Sequence, residues 1–270
     1  MPTVDVATGT QLYYESVGTG PAILLIQGVG AVGEAWRKQV EPLARDHRVV
    51  LYDNRGIGKS ASWTEKVSVE MLAGDALALM DALDIEEAHV GGHSLGGVIA
   101  QQVALDAPGR VKSLMLMCTV HRGKDGARVT PSVLWTAVRM RVGTKRMRRA
   151  AFLAMVLPPE LLTERDTDEL AEELRPAFGR DLASTPPIVM KQAMALGRHD
   201  ASSRLQELEG IPTLVLSADR DTVCPAASGR RLAAAIPGAR YREITGAHGV
   251  PLMQPAPFNA LLLEHLADVA

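Results

Sequence analysis

Between Glu87 and Pro108 the chain reads EAHVGGHSLGGVIAQQVALDAP, and the pentapeptide Gly92-His93-Ser94-Leu95-Gly96 at its centre leaves few folds open. Ala88, Val90 and the glycines that follow suit a buried strand. Val98, Ile99, Val103 and Leu105 recur at helical spacing until Pro108-Gly109 stops the pattern. A strand that reverses directly into a helix puts Ser94 at the tip of a tight turn. Such a turn holds its central residue in a strained backbone conformation and leaves no room for side chains at the flanking positions, which accounts for the glycines. A G-x-S-x-G pentapeptide alone is a short motif that arises by chance; the strand before it and the helix after it make it specific for an exposed, nucleophilic serine.

With 270 residues, 47% hydrophobic content and a net charge of -2, the chain can bury the core of one large α/β domain that carries an insertion. Met1 to Asp5 lacks a charged start followed by an apolar run, and no stretch approaches the roughly 20 apolar residues that span a bilayer. A soluble, cytoplasmic protein without membrane or nucleic-acid partners is expected, because the near-neutral balance gives no basic footprint. Cys118 and Cys224 lie far apart and form no C-x-x-C, so both are expected as free thiols.

Thr3 to Val17 alternates apolar and polar residues on both sides of Thr8-Gly9, the pattern of a hairpin with one exposed face. Ala22 to Ile26 and Arg48 to Tyr52 are continuous apolar runs of the kind buried on both faces of a parallel sheet. Between them stands Gly28-Val29-Gly30-Ala31-Val32-Gly33, a literal G-x-G-x-x-G after a strand, with Asp53 about 20 residues on. This is the fingerprint of a dinucleotide-binding oxidoreductase. Two observations weigh against that reading: a hairpin precedes the motif and Pro42 interrupts the short helix after it, and Ser94 is left unexplained. The same loop instead offers the N–H of Val29 to an oxyanion beside Ser94, with the N–H of Leu95 as second donor. Asp53-Asn54-Arg55-Gly56 is a turn whose charged residues tie it to its neighbours, Val69 to Leu83 is an amphipathic helix, and Val111 to Cys118 is a further strand. Strand–helix–strand alternation of this kind predicts a parallel, doubly wound sheet.

From Arg122 to about Leu208 no strand pattern appears, only helical stretches broken by Pro131, Pro158-Pro159, Pro176 and Pro186-Pro187. We expect core residues 1–120, a helical cap at 121–208, and the rest of the core at 209–270. Trp135, Met140, Met147, Phe152, Met155, Phe178, Met190 and Met194 are candidates for an adaptable apolar pocket, His121, Trp135, Met155 and Met194 foremost, although most such residues in a cap are simply its own core. Arg139 to Arg149 is strongly basic and Glu160 to Glu173 acidic. Both read as solvated helix faces; the sharper alternative is that the basic run docks an anionic acyl carrier or acid substrate.

The sheet resumes at Ile211 to Ser217, which ends in Ala218-Asp219-Arg220-Asp221, and at Ala239 to Ile244, which ends in Thr245-Gly246-Ala247-His248. A serine hydroxyl is a weak nucleophile until a base accepts its proton, and that base needs an acid to hold its tautomer. An acid and then a histidine at the ends of successive strands supply both. His93 is expected to pack or hydrogen-bond, and His47, His89, His199 and His265 lie on loops or helices without evident partners.

LLIQGVG, YDNRGIGKS, GGHSLGG, PTLVLSADRDTVCP and GAHGVPLMQPAPF together resemble the α/β-hydrolase fold, of the serine esterase and lactonase type, over nearly the whole chain. The resemblance implies a Ser94–His248–acid triad, with Asp221 preferred and Asp219 in reserve, because this family usually places the acid at the second aspartate of such a D-R-D. It implies hydrolysis of an ester or lactone of a small, largely apolar substrate, without metal or cofactor. Thioester, amide or C–C bond hydrolysis and cofactor-free haloperoxidase chemistry use the same triad. Gln27 departs from the family, which usually has histidine there, and bears on how the oxyanion loop is braced.

Overall fold

The computed structural model describes residues 2–126, 135–136 and 138–269. Eight strands form one sheet: β1 (Thr3–Val6), β2 (Thr10–Val17), β3 (Ala22–Ile26), β4 (Arg48–Tyr52), β5 (Ala88–His93), β6 (Val111–Met117), β7 (Thr213–Ala218) and β8 (Arg240–Ile244). Their spatial order is β1-β2-β4-β3-β5-β6-β7-β8. The opening hairpin pairs β1 with β2 antiparallel, β2 joins β4 antiparallel, and every later pairing is parallel. β3 and β7 are buried along their whole length, which is why they read as unbroken apolar runs.

Successive side chains of a strand point to opposite faces, and the helices cover both. Leu24, Val50 and Val90 pack with Leu72 and Leu79 of α2 (Val69–Ala82) and with Val98 and Ile99 of α3 (Leu95–Asp106). Ile23, Leu25, Val49 and Leu51 face the other way, onto Val40 and Leu43 of α1 (Arg37–Leu43) and Phe258 and Leu262 of α10 (Pro255–Ala267). The sheet is therefore doubly wound. α8 (Ala226–Ala235) and the short α9 (Val250–Met253) complete the second half.

Between β6 and β7 the α-helices described along their whole length are α4 (Lys145–Val156), α5 (Pro159–Glu164), α6 (Thr167–Phe178) and α7 (Pro187–Arg198). Phe152, Leu153, Leu170 and Leu174 give α4 and α6 a core of their own. Pro131 lies outside the described residues. The basic and acidic runs lie largely at the surface and face each other. Arg146 bridges Asp166 and Asp168 at 2.7 Å each, and Arg149 reaches Asp168, Glu172 and Asp181 at 2.9 to 3.0 Å. Opposite charges on adjacent helices neutralise one another, so Arg146 and Arg149 offer no open cationic face for an acyl carrier. Among the described residues no helix is long and apolar enough to cross a membrane.

Arg55 ties the turn after β4 to α2. Its guanidinium is 1% exposed, lies 4.2 Å from the centre of the Trp63 ring, and bonds through Nε to Asp75 at 2.5 Å. Asp75 also accepts from Thr8. Removing one partner of a buried pair leaves the other charge uncompensated, at a cost of about 3–5 kcal/mol. Asp75→Ala should therefore lower the unfolding free energy in urea by that amount, and Arg55→Met added to it should restore part of the loss. A loss under about 1 kcal/mol, the range of an exposed pair, would contradict this role.

Candidate active site

Ser94 follows the last residue of β5 and precedes the first of α3, with φ 56° and ψ −121°. A non-glycine residue at positive φ is held there only when its surroundings insist. They do so here through backbone contact. A side chain on Gly92 would stand 2.0 Å from the Gly96 carbonyl oxygen, and one on Gly96 would stand 2.1 Å from that of Ile26. Thr119 Oγ1 donates to the Ser94 carbonyl at 2.7 Å, and the Ser94 N–H donates to Met117 at 3.0 Å, tying the turn to β6. Leu95 is the first residue of α3, where N–H groups have no acceptor within the helix.

The loop after β3 lies against this turn. A Cβ on Gly28 would sit 3.0 Å from the Ser94 Cβ. Gln27 braces the loop by accepting from the Gly28 N–H at 3.2 Å through Oε1, and its carbonyl accepts from Asn54 at 3.1 Å. The inserted segment holds the loop two residues further on: Gly30 donates to Gln192 Oε1 at 2.8 Å and accepts from Arg180 Nη1 at 3.2 Å. Asp53 is engaged as a structural tie, accepting from Gly33 N at 2.7 Å and Lys59 N at 2.8 Å, one carboxylate oxygen each. The G-x-G-x-x-G thus faces a serine and leads into a short 3-10 turn (Gly33–Trp36), where a dinucleotide fingerprint opens a long helix.

Asp221, just past β7, is anchored through Oδ1 by the N–H groups of Val223 and Cys224, both at 2.8 Å. Its Oδ2 is 2.7 Å from His248 Nδ1, and the two side chains are 0% and 9% exposed. Since the carboxylate can only accept, Nδ1 carries the proton and a neutral His248 has Nε2 bare. Asp219 instead accepts from the Gly246 N–H at 2.8 Å, shaping the turn that leads to His248. His93 packs its ring 4.6 Å from that of His248 and contacts the His248 carbonyl through Nε2 at 2.9 Å; burial pushes its pKa down to about 3. Cys118 and Cys224 are free and buried, and burial raises both thiols.

Ser94, His93 and His248 line one cavity of about 340 Å³ together with Gln27, Gly28 and Val29. Its other wall comes from the inserted helices and their flanks: Met140, Phe152, Met155, Leu174, Phe178, Arg180, Val189 and Met190. Of the four foremost pocket candidates only Met155 lies in this wall. Trp135 and Met194 are 63% and 46% exposed, and His121 is turned to Asp125, 3.5 Å away. An apolar period identifies a helix face but not which of two cores that face meets. Arg180, in the connection between α6 and α7, and Gln192, on α7, were not anticipated, since a single arginine or glutamine carries no sequence signal.

A doubly wound sheet with a strained serine turn after β5, and an acid–histidine pair beyond β7 and β8, defines the α/β-hydrolase class. Residues 21–253 match the family model described as alpha/beta hydrolase fold, and the chain belongs to that family. It is 33% identical, over 96% of both chains, to a protein of Azorhizobium caulinodans named carbamate hydrolase RutD. The enol-lactonase from Burkholderia xenovorans LB400 superposes with a TM-score of 0.84 at 28% identity, covering 98% of this chain and 100% of its own. A hydrolase from Pseudomonas aeruginosa does so with 0.84 at 29% identity, covering 98% and 97%. The family and these relatives make the chain a hydrolase.

Three of the histidines expected to lack partners have them. His89 lies within β5 and pairs with Ser113 at 2.9 Å, His265 contacts Arg240 at 3.1 Å, and His199 lies 3.7 Å from Glu70. Burial pushes His89 and His265 down to about 4, as it pushes His93 to about 3. The unfolded chain protonates these groups below about pH 6.5, while the folded chain resists until about 4 or lower. Between those limits the unfolded state binds more protons, so stability falls as pH drops. The thermal midpoint followed by circular dichroism should decline steadily from pH 6.5 to 4.5, and His89→Asn should flatten the slope. An unchanged midpoint across that range would contradict the buried neutral histidines.

Proposed function

We propose that the chain is a serine hydrolase that cleaves an ester or lactone of a small substrate through Ser94, His248 and Asp221. The observation that carries this reading is the Asp221–His248 pair, with one carboxylate oxygen fixed by two backbone N–H groups and the other aligned on Nδ1, in a cavity whose wall also contains Ser94. His248 Nε2 takes the Ser94 proton as Oγ bonds to the substrate carbonyl, and the N–H groups of Val29 and Leu95 receive the oxyanion. As the tetrahedral intermediate collapses, the C–O bond to the leaving alcohol breaks and His248 returns the proton to that oxygen. Water, deprotonated by the same base, then releases the acid and regenerates Ser94.

In this reading residues 121–208 form a cap over Ser94, supported by the side chains of α4, α6 and α7 that wall the cavity. A carbamate is the second substrate class, favoured by the name of the relative at 33% identity, and its carbonyl would meet the same groups.

A panel of para-nitrophenyl esters, lactones and carbamates, with Ser94→Ala as blank, ranks these classes. Within the panel Asp221→Asn should lose on the order of 10³ to 10⁴ in kcat, because the imidazole is left in the wrong tautomer. Asp219→Asn keeps the oxygen that accepts from Gly246 and should retain most activity. The reverse order would remove Asp221 from the mechanism.

A further inference from the structure

Arg180 is the one cation on the cavity wall bonded to the loop beside Ser94, and its surroundings are unusual for an arginine. Among the described residues it forms no ion pair. Nη1 donates to the carbonyl oxygens of Gly30 at 3.2 Å and Phe178 at 3.4 Å, the guanidinium carbon lies 5.6 Å from the centre of the Phe178 ring, and the buried Nε has no partner. Burial alone accounts for the lowering of its pKa. Among the described residues the cavity wall contains a second arginine, Arg141, and no aspartate or glutamate. Arg180 is half-buried, and the part of the guanidinium that has left water has no counter-charge, which is costly unless a ligand supplies one.

Both contacts to carbonyls use Nη1. With Nη1 on the carbonyls and Nε buried, Nη2 is the nitrogen left to give a carboxylate a charge-assisted hydrogen bond. Gly30, to which Arg180 is bonded, is two residues along the loop from Gly28, which touches Ser94. Two residues span at most roughly 7 Å, and the turn closed by the Ala31 N–H on the Gly28 carbonyl makes the distance shorter. A substrate carboxylate on Arg180 would thus lie a few bonds from a carbonyl at Ser94, across a wall that is mostly apolar.

We propose that Arg180 is a specificity-determining residue that binds a carboxylate of the substrate, so that the substrate is an acid-bearing ester or lactone with a short apolar link between carboxylate and scissile carbonyl. The proposal rests on Ser94 acting as nucleophile, and the experiment separates the two. The probes are para-nitrophenyl hydrogen glutarate, which is anionic, and para-nitrophenyl valerate, its neutral counterpart of equal chain length. Hydrogen bonds to a charged group contribute about 1.5–3 kcal/mol. The ratio of kcat/KM for glutarate to that for valerate should therefore fall on the order of 10- to 100-fold in Arg180→Met, mainly through KM. Arg180→Lys, which keeps the charge and loses the fork, should fall between.

Calorimetry with free glutarate requires no turnover: saturable binding to the unmodified protein that Arg180→Met abolishes supports the subsite. The same binding without hydrolysis of either ester would leave the subsite standing and overturn ester cleavage through Ser94 alone. An unchanged ratio in folded Arg180→Met and Arg180→Lys, with both esters slowed equally, would overturn the proposal and leave Arg180 as a brace for Gly30. Absence of glutarate binding to the unmodified protein would overturn it as well.

Discussion

Close backbone contact at the end of β5 governs the rest of this molecule. Gly92 lies against Gly96, and Gly96 against the Ile26 carbonyl, at distances that exclude any Cβ. This lets α3 start at once after the strand, holds Ser94 at φ 56°, and sets β3 and its loop beside the turn. A residue held so far from the ordinary backbone regions costs of order 1–3 kcal/mol. The strain is borne by a frame fixed on three sides, by β3, β6 and Thr119. Its consequence is positional: the hydroxyl, the loop N–H groups and the first turn of α3 are set relative to one another before any substrate arrives, which is the condition for oxyanion stabilisation without reorganisation.

The proposed base reaches this turn from the other half of the sheet. β7 and β8 run parallel and adjacent, so the loops beyond their ends emerge on the same edge as the serine turn. Asp219 shapes the second of those loops while Asp221 orients the histidine it delivers. His93, half-buried and kept neutral by desolvation, packs its ring against that of His248. The inserted helices reach the opposite side of the site through Gln192 and Arg180 on Gly30, so displacing them would loosen the loop that carries Val29.

What could be read from the chain follows from which features depend on local pattern. β3, β4 and β7 were legible because burial on both faces demands apolar runs, and Ser94 was legible because its turn admits only glycine two residues to either side. Asp221 was favoured over Asp219 through family likeness rather than any local signal, since both sit beyond the same strand and differ only in what their oxygens meet. The glycines from 28 to 33 fit two folds, and the distinction lies in Asp53, whose oxygens are held by Gly33 and Lys59. The basic run at Arg139 to Arg149 looked like a free surface because its acidic partners are some 20 residues away in sequence and on another helix. Trp135 and Met194 point to solvent, while Met155, Phe152 and Phe178 face the cavity; helical spacing is the same in both cases.

The central claim is that the strained serine is the nucleophile. The direct measurement is mass spectrometry of the protein after reaction with a fluorophosphonate, which captures a serine activated by a neighbouring base. The account predicts a single adduct on the peptide containing Ser94, lost in His248→Ala. An adduct on another residue, or none on protein that hydrolyses its substrate, would contradict it.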